Sequence, residues 1–205
     1  MGAMLRMYLR CDDPPALARV KQRFPTAIIE PPSVFASVDV TLEERIAPAE
    51  LDRLSAELNT EIIYLAFFSV SDSLEFTRSV RGQTVRHLQY GMAEQGQWEA
   101  VVGSAEEWEV QAFFATNILA EVAPNDPDAQ RVAEIYAQRI LTRGEIWPMI
   151  DARESARVAA VHYRLTDWLD DWHGTSAQES LAAGAVATGP VTAPKQNSKP
   201  WWRFW

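Results

Sequence analysis

Cysteine is almost missing from this chain: Cys11 is the only one. One thiol cannot close a disulfide within the chain, nor build a CxxC metal or redox centre, so a reducing, cytoplasmic setting is expected. Positive charge is also scarce. The formal charge is −9 and the pI about 4.9. Tracking a phosphate backbone requires a Lys/Arg surface, so nucleic acid is not an expected partner. Long hydrophobic runs are lacking as well. The strongest, Ile62 to Val70 interrupted by Ser69, is too short to cross a bilayer as a helix. Met1 to Cys11 interleaves Arg6 and Arg10 with apolar residues and has no signal-peptide core. No Walker loop, dinucleotide fingerprint, HExxH, GxSxG elbow or metal-spaced Cys/His cluster occurs. No catalytic residue, metal or cofactor is therefore assigned, and an enzyme is the less favoured reading.

What is present is enough apolar material for one core. At 205 residues and 47% hydrophobic content, one domain with an appendage is the natural division. Met4 to Cys11 reads as a strand, and Asp13-Pro14 caps and opens a helix carrying Leu17, Val20 and Phe24 on one face. Ser33 to Val40 alternates as a half-buried strand, with Val34, Ala36, Val38 and Val40 inward. Pro48 opens a helix with Leu51, Leu54 and Leu58 on one face, ended by Asn59. Glu61 to Val70 is apolar on both faces, as expected for a central strand covered on two sides. Leu74 to Val80, Thr84 to Tyr90 and Gln97 to Val102 continue an antiparallel meander. Ser104 with Glu107 predicts a capping box for a helix with Trp108, Ala112, Ala115, Leu119 and Val122 inward, closed by Pro124. Asp126-Pro127 predicts another, with Val132, Ile135, Tyr136 and Ile140 inward and Gly144 at its end. Asp151 and Glu154 open the last helix, whose stripe Val158, Val161, Leu165, Trp168 and Trp172 either seals the domain or seats a partner helix. The fold class is α+β: an antiparallel meander sheet packed with amphipathic helices, plus a flexible C-terminal tail.

The hairpin is the most informative segment, because its turn length decides which side chains share a face. A three-residue loop Arg81-Gly82-Gln83 opposes Phe76 to Leu88 and Leu74 to Tyr90, matching apolar to apolar, and also opposes Arg78 to Arg86. Two arginines so placed repel unless neutralised. Either an internal carboxylate, such as Asp72 or Asp39, pairs with them, or they hold a bound anion between two planar forks. Arg78 and Arg86 are thus the candidate anion-binding residues. In this register His87 falls on the other face, which weakens any acid-base site combining it with the arginines and Tyr90. The acids Asp167, Asp170 and Asp171 near His173 read as a solvated face rather than a metal site. Glu99 and Glu109, each beside a tryptophan, read as surface acids next to core aromatics rather than a glycosidase pair.

From Gly174 the composition turns to Ala, Gly, Thr, Ser and Pro without periodicity, which cannot offset its ordering entropy. The division is therefore an acidic globular domain over 1–174 and a low-complexity tether over 175–205. The tether ends in Lys199, Pro200, Trp201, Trp202, Arg203, Phe204 and Trp205. Lys195, Lys199 and Arg203 against the single acid Glu179 make the tether positive, opposite in sign to the domain. Trp201, Trp202, Arg203, Phe204 and Trp205 form the expected docking element, aimed at another protein, a further copy of the chain, its own domain, or a lipid surface.

The stretch from Tyr64 to Asp72, with Arg86 to Gly91 and the pairs Trp98-Glu99 and Trp108-Glu109, resembles a family of uncharacterised bacterial proteins. The resemblance spans about residues 64–109 and implies a shared fold without an activity. The function expected is a non-enzymatic interaction module that docks through its tip and its acidic domain surface. A peripheral membrane protein anchored by the tip and an enzyme with an anion site at Arg78 and Arg86 are the alternatives.

Overall fold

The computed structural model describes residues 3–41, 45–115, 119–120, 129–147 and 150–165, and the elements named among them are seven strands and five helices. These residues belong to one unit, Met1–Trp168. The tether, its aromatic tip, and the Asp167 to His173 cluster lie outside the described residues. The strands are β1 (Ala3–Arg10), β2 (Ile28–Ile29), β3 (Phe35–Asp39), β4 (Glu61–Phe68), β5 (Ser73–Val80), β6 (Gln83–Tyr90) and β7 (Trp98–Gly103). The helices are α1 (Pro14–Arg23), α2 (Pro48–Leu58), α3 (Glu107–Phe113), α4 (Ala129–Gln138) and α5 (Ala152–Tyr163).

All seven strands join one sheet in the order β2-β3-β1-β4-β5-β6-β7, with every pair antiparallel. The fold is α+β, and β4 to β7 form the meander that the alternation predicts. β4 is the middle strand. Ile62, Ile63, Tyr64, Leu65, Ala66 and Phe67 are all fully buried, as a strand covered on both faces requires.

One face carries Leu5, Met7 and Leu9 from β1 with Ile62, Tyr64 and Ala66 from β4, beneath Val20 of α1 and Leu51, Leu54 and Leu58 of α2. Local chemistry ends these helices as expected: Asp13 accepts the Ala16 N–H at 2.6 Å, and Asn59 adopts a left-handed φ of 49° after α2. The other face carries Leu74, Phe76, Leu88, Tyr90 and Trp98. Trp108 and Phe113 of α3 and Tyr163 of α5 pack there, with ring centroids 4.9 to 6.0 Å apart in the Phe76–Trp108, Phe76–Tyr163 and Trp98–Phe113 pairs.

Several expected boundaries move, each for an identifiable reason. The capping box of α3 is Glu106 with Glu109 instead of Ser104 with Glu107. A carboxylate fills the cap because Arg78 and Trp108 also need an acceptor there. The helix ends at Phe113, so the stripe through Ala115 and Leu119 does not continue it. α4 stops at Gln138 because Arg139 turns left-handed at φ 54°, which leaves Ile140 outside, 60% exposed. Gly144 instead sits in a turn whose N–H bonds Trp98 O. Val34 is 42% exposed and not inward. β2, an edge strand of two residues, escapes a pattern that needs four or more to show a period.

α5 is the most instructive departure. Its buried face is made of Ala152, Ser155, Ala156, Ala159 and Ala160 with Val158, whereas Val161 is 64% exposed. Small residues let a helix lie close on the sheet, so the centre of the inward face is made of alanines and Ser155, with Val158 beside them and Val161 on the opposite side of the helix. Of the stripe expected to seal the domain or seat a partner helix, Val158 and Leu165 are buried and Val161 faces outward, while Trp168 and Trp172 lie outside the described residues.

Candidate functional site

The two arginines begin with the hairpin. Its turn has two residues, Arg81 and Gly82, at positive φ of 48° and 89°, the conformation that a two-residue hairpin demands. Val80 pairs with Gln83 and Ser79 with Thr84, and the register then shifts so that Arg78 meets Arg86. Val85 is the extra residue of this β-bulge. A two-residue turn plus one bulged residue gives the same pairing as the three-residue loop the hydrophobic match predicts, from Arg78/Arg86 through Leu74/Tyr90. The turn is held from outside: Asp52 of α2 accepts from Ser79 and Thr84 at 2.7 and 2.8 Å, and Ser55 accepts the Gly82 N–H at 2.7 Å.

Carboxylates meet both arginines, but not the expected ones. Arg86, 2% exposed, forks onto Glu109 of α3 through Nε to Oε1 at 2.8 Å and Nη2 to Oε2 at 2.6 Å. Its Nη1 donates to the carbonyls of Val102 and Gly103 at 3.2 and 2.8 Å. Arg78 donates from Nε to Glu61 at 2.6 Å and from Nη1 to Glu106 at 3.0 Å, with its guanidinium 5.7 Å from the Tyr163 ring centroid. Asp39 pairs instead with Arg6 at 2.8 Å, and Asp72 accepts the Ala152 N–H at 3.0 Å. The true partners lie on strand β4 and helix α3, elements whose distance from the hairpin no local pattern encodes.

The pairs join into a band across the sheet. Glu61 also accepts from Arg10 at 3.0 Å, and Arg10 donates to Asp12 at 2.7 Å. At the other end, Glu106 accepts from Trp108 Nε1 at 2.8 Å and from the Tyr163 hydroxyl. Burial pushes the Glu109 carboxyl above its ordinary range, opposed by the Arg86 fork and the Glu106 amide. Burial also raises the Tyr163 phenol, and the Glu106 carboxylate adds to the rise. An anion entering this band has to displace a carboxylate from a guanidinium.

His87 faces the opposite side of the sheet, as the register predicts. Its Nδ1 lies 2.9 Å from Thr77 Oγ1. Burial lowers its pKa, and the Arg45 and Arg86 charges add to this, against a hydrogen bond at Phe76. Glu75, 2% exposed, accepts from Arg45 at 2.9 Å, and burial raises its carboxyl against that pairing. Tyr90 lies on the arginine face, its hydroxyl 3.4 Å from Trp147 O. The sheet therefore separates the residues of the expected acid-base site. It also separates Glu99, which accepts from Gln89 at 2.5 Å and from the Glu94 amide at 2.8 Å, from the buried Glu109.

A further feature was legible only as the unplaced stripe of the last helix. α3 and α5 pack side by side, and between them runs an open groove of about 500 Å³. Trp108 and Val158 line it, with Val110 at 39% and Val161 at 64% exposure beside them. Glu107 stands on one rim and Arg157, paired with Glu154 at 2.5 Å, on the other. Among the described residues there is no group of three or more His, Cys, Asp or Glu able to hold a metal ion, and no helix long and apolar enough to cross a membrane. No family model, curated protein or solved structure matches the chain.

Proposed function

We propose that this protein is a non-enzymatic interaction module of a reducing, cytoplasmic compartment, built to hold a partner against an acidic domain and a tryptophan-rich tip. The observation that supports it is the outward apolar rim of the α3–α5 groove. Val161 keeps nearly two thirds of its surface in water and Val110 more than a third, on two helices otherwise packed into the domain. Bulky apolar side chains around a concave surface are what a protein interface exploits. The net charge of −9 adds long-range attraction for a basic partner, and the Trp201 to Trp205 tip supplies residue types that dominate interface energies.

Affinity capture with the full chain tests this reading beside two variants, Val161→Glu and a tip variant with Trp201, Trp202 and Trp205 all changed to Ala. A partner held by the wild type and lost from at least one variant is the expected result. No partner held by any of the three, in cell extract and after cross-linking, sinks it. A second reading rests on the tip alone, since tryptophan with lysine and arginine favours a membrane interface. Sedimentation with anionic vesicles separates the two: equal pelleting of the full chain and a chain ending at Pro194 removes lipid as the target.

A further inference from the structure

We propose that Trp108, Glu106 and Tyr163 form a proton-coupled relay that carries one-electron oxidation out of the aromatic core to the protein surface. A single shared oxygen sets these residues apart from an ordinary aromatic core. Oε2 of Glu106 accepts both the Trp108 indole N–H, at 2.8 Å, and the Tyr163 hydroxyl. Indole and phenol are the side-chain rings that give up an electron most readily. Each becomes a strong acid when it does, so a carboxylate bonded to both is the base that each needs.

The rings behind the relay are continuous. Trp108 lies 5.6 Å from Phe113, Phe113 5.1 Å from Trp98, and Trp98 5.8 Å from Trp147 between ring centroids, all within direct aromatic contact. Among the described residues, no acceptor meets the indole N–H of Trp98 or Trp147, both buried. An indole radical cation at either site keeps its proton, and with it an unpaired charge in apolar surroundings, which is costly. At Trp108 the proton has an acceptor, so the hole moves outward.

Tyr163 is the outer end of the path. It stacks on Phe76 at 6.0 Å, and Phe76 lies 4.9 Å from Trp108. The Arg78 guanidinium, 5.7 Å from the Tyr163 ring and bonded to Glu106 at 3.0 Å, repels positive charge on that ring. Oxidation of Tyr163 is therefore tied to loss of its proton to Glu106. The ring is half-buried at the end of α5, where a small reductant reaches it.

The oxidant required is a peroxide-derived radical, which takes one electron from an indole of the cluster and is itself reduced. Trp108 refills that hole and passes its Nε1 proton to Glu106. Tyr163 then gives one electron to the Trp108 radical. The carboxyl returns its proton to Nε1, and the phenolic proton takes its place on Glu106. A small-molecule hydrogen-atom donor such as ascorbate restores the phenol, and Glu106 releases its proton to water.

Laser-flash oxidation of the full-length protein tests this, with persulfate as the electron acceptor that leaves indole radicals behind. In wild type the indole-radical absorbance is expected to fall as a tyrosyl radical rises, at a rate independent of protein concentration and slower in heavy water. Tyr163→Phe keeps a ring on Phe76 and is expected to lose that phase. Glu106→Gln keeps an acceptor oxygen but not the base, and should slow the phase by about a hundredfold. The tryptophans beyond residue 165 are the same in every protein compared, so differences between proteins report the relay. A nitroso spin trap followed by peptide mass spectrometry is expected to place the radical on Tyr163. No tyrosyl radical in wild type overturns the proposal, as does a phase that persists in Tyr163→Phe. So does a rate unchanged by both Glu106→Gln and heavy water, or a trap that marks other tyrosines and not Tyr163. The heavy-water and trapping measurements use the wild type, so they decide the matter even if a variant fails to fold.

Discussion

Burying the Arg86 guanidinium forfeits several kcal/mol of hydration, and the surroundings return it through a two-bond fork to Glu109 and two backbone carbonyls. Removing one partner strands the other. Arg86→Met is expected to destabilise the fold by about 3 kcal/mol, read as a lower urea midpoint, while Arg86→Met with Glu109→Leu recovers most of that loss. If the double variant is as unstable as the single, the pair is not the source of the cost. His87 predicts a pH dependence whose sign is fixed by its environment. Its folded pKa lies below the ordinary imidazole value of 6.5 because burial disfavours the imidazolium, so the unfolded chain binds the proton first. The contribution is complete above pH 6.5 and is lost as pH falls from there toward the folded pKa. His87→Gln should flatten the stability curve below pH 6.5, measured by chemical denaturation at successive pH values, and an unchanged slope refutes the assignment.

At the scale of elements, the ladder between β6 and β7 depends on one glycine. Gly103 has φ +83°, and a Cβ added there falls 1.9 Å from the carbonyl oxygen of Val85. Gly103→Ala is expected to cost about 3 kcal/mol, from the positive φ and the forced shift of the bulge, and to weaken the Arg86 grip on the Gly103 carbonyl. A thermal melt checks this, and a loss below 1 kcal/mol contradicts it.

Elements are also where the legibility of the sequence divides. The run through β4, the Asp13 and Asp151 caps and the Arg78/Arg86 pairing could be read because period, cap chemistry and cross-strand matching act over short separations. The pairing of Arg86 with Glu109, 23 residues on, could not, since it requires α3 to fold back over the sheet. The outward Val161 could not either. Its three-four spacing is that of a buried stripe, and Val158 and Leu165 of that stripe are buried, but the inward face centres on Ala152, Ser155, Ala156, Ala159 and Ala160, which leaves Val161 on the far side of the helix.

For the whole molecule, charge is the organising quantity. A net −9 repels itself in the compact state, and salt screens that repulsion over about 10 Å at 0.1 M. The buried pairs, such as Arg86 with Glu109 at 2% exposure each, are screened far less. Raising ionic strength from about 0.01 to 0.15 M is therefore expected to raise the melting temperature by a few degrees, in the range that roughly 1 kcal/mol produces. A fall in melting temperature would show that exposed attractive pairs outweigh the overall repulsion. The same screening weakens any contact between this acidic domain and a basic partner, so stability and association should respond to salt in opposite directions.

The bulge at Val85 has a genetic meaning. Val85 behaves as a one-residue insertion that the hairpin absorbs without losing its reading frame, because every pair from Arg78/Arg86 onward is the one a strand lacking it would form. Its carbonyl is also what forbids a side chain at position 103. Deleting Val85 should then act as an intragenic suppressor of Gly103→Ala, relieving the steric part of the defect. A lineage that loses the first residue meets only the positive-φ cost when it loses the second.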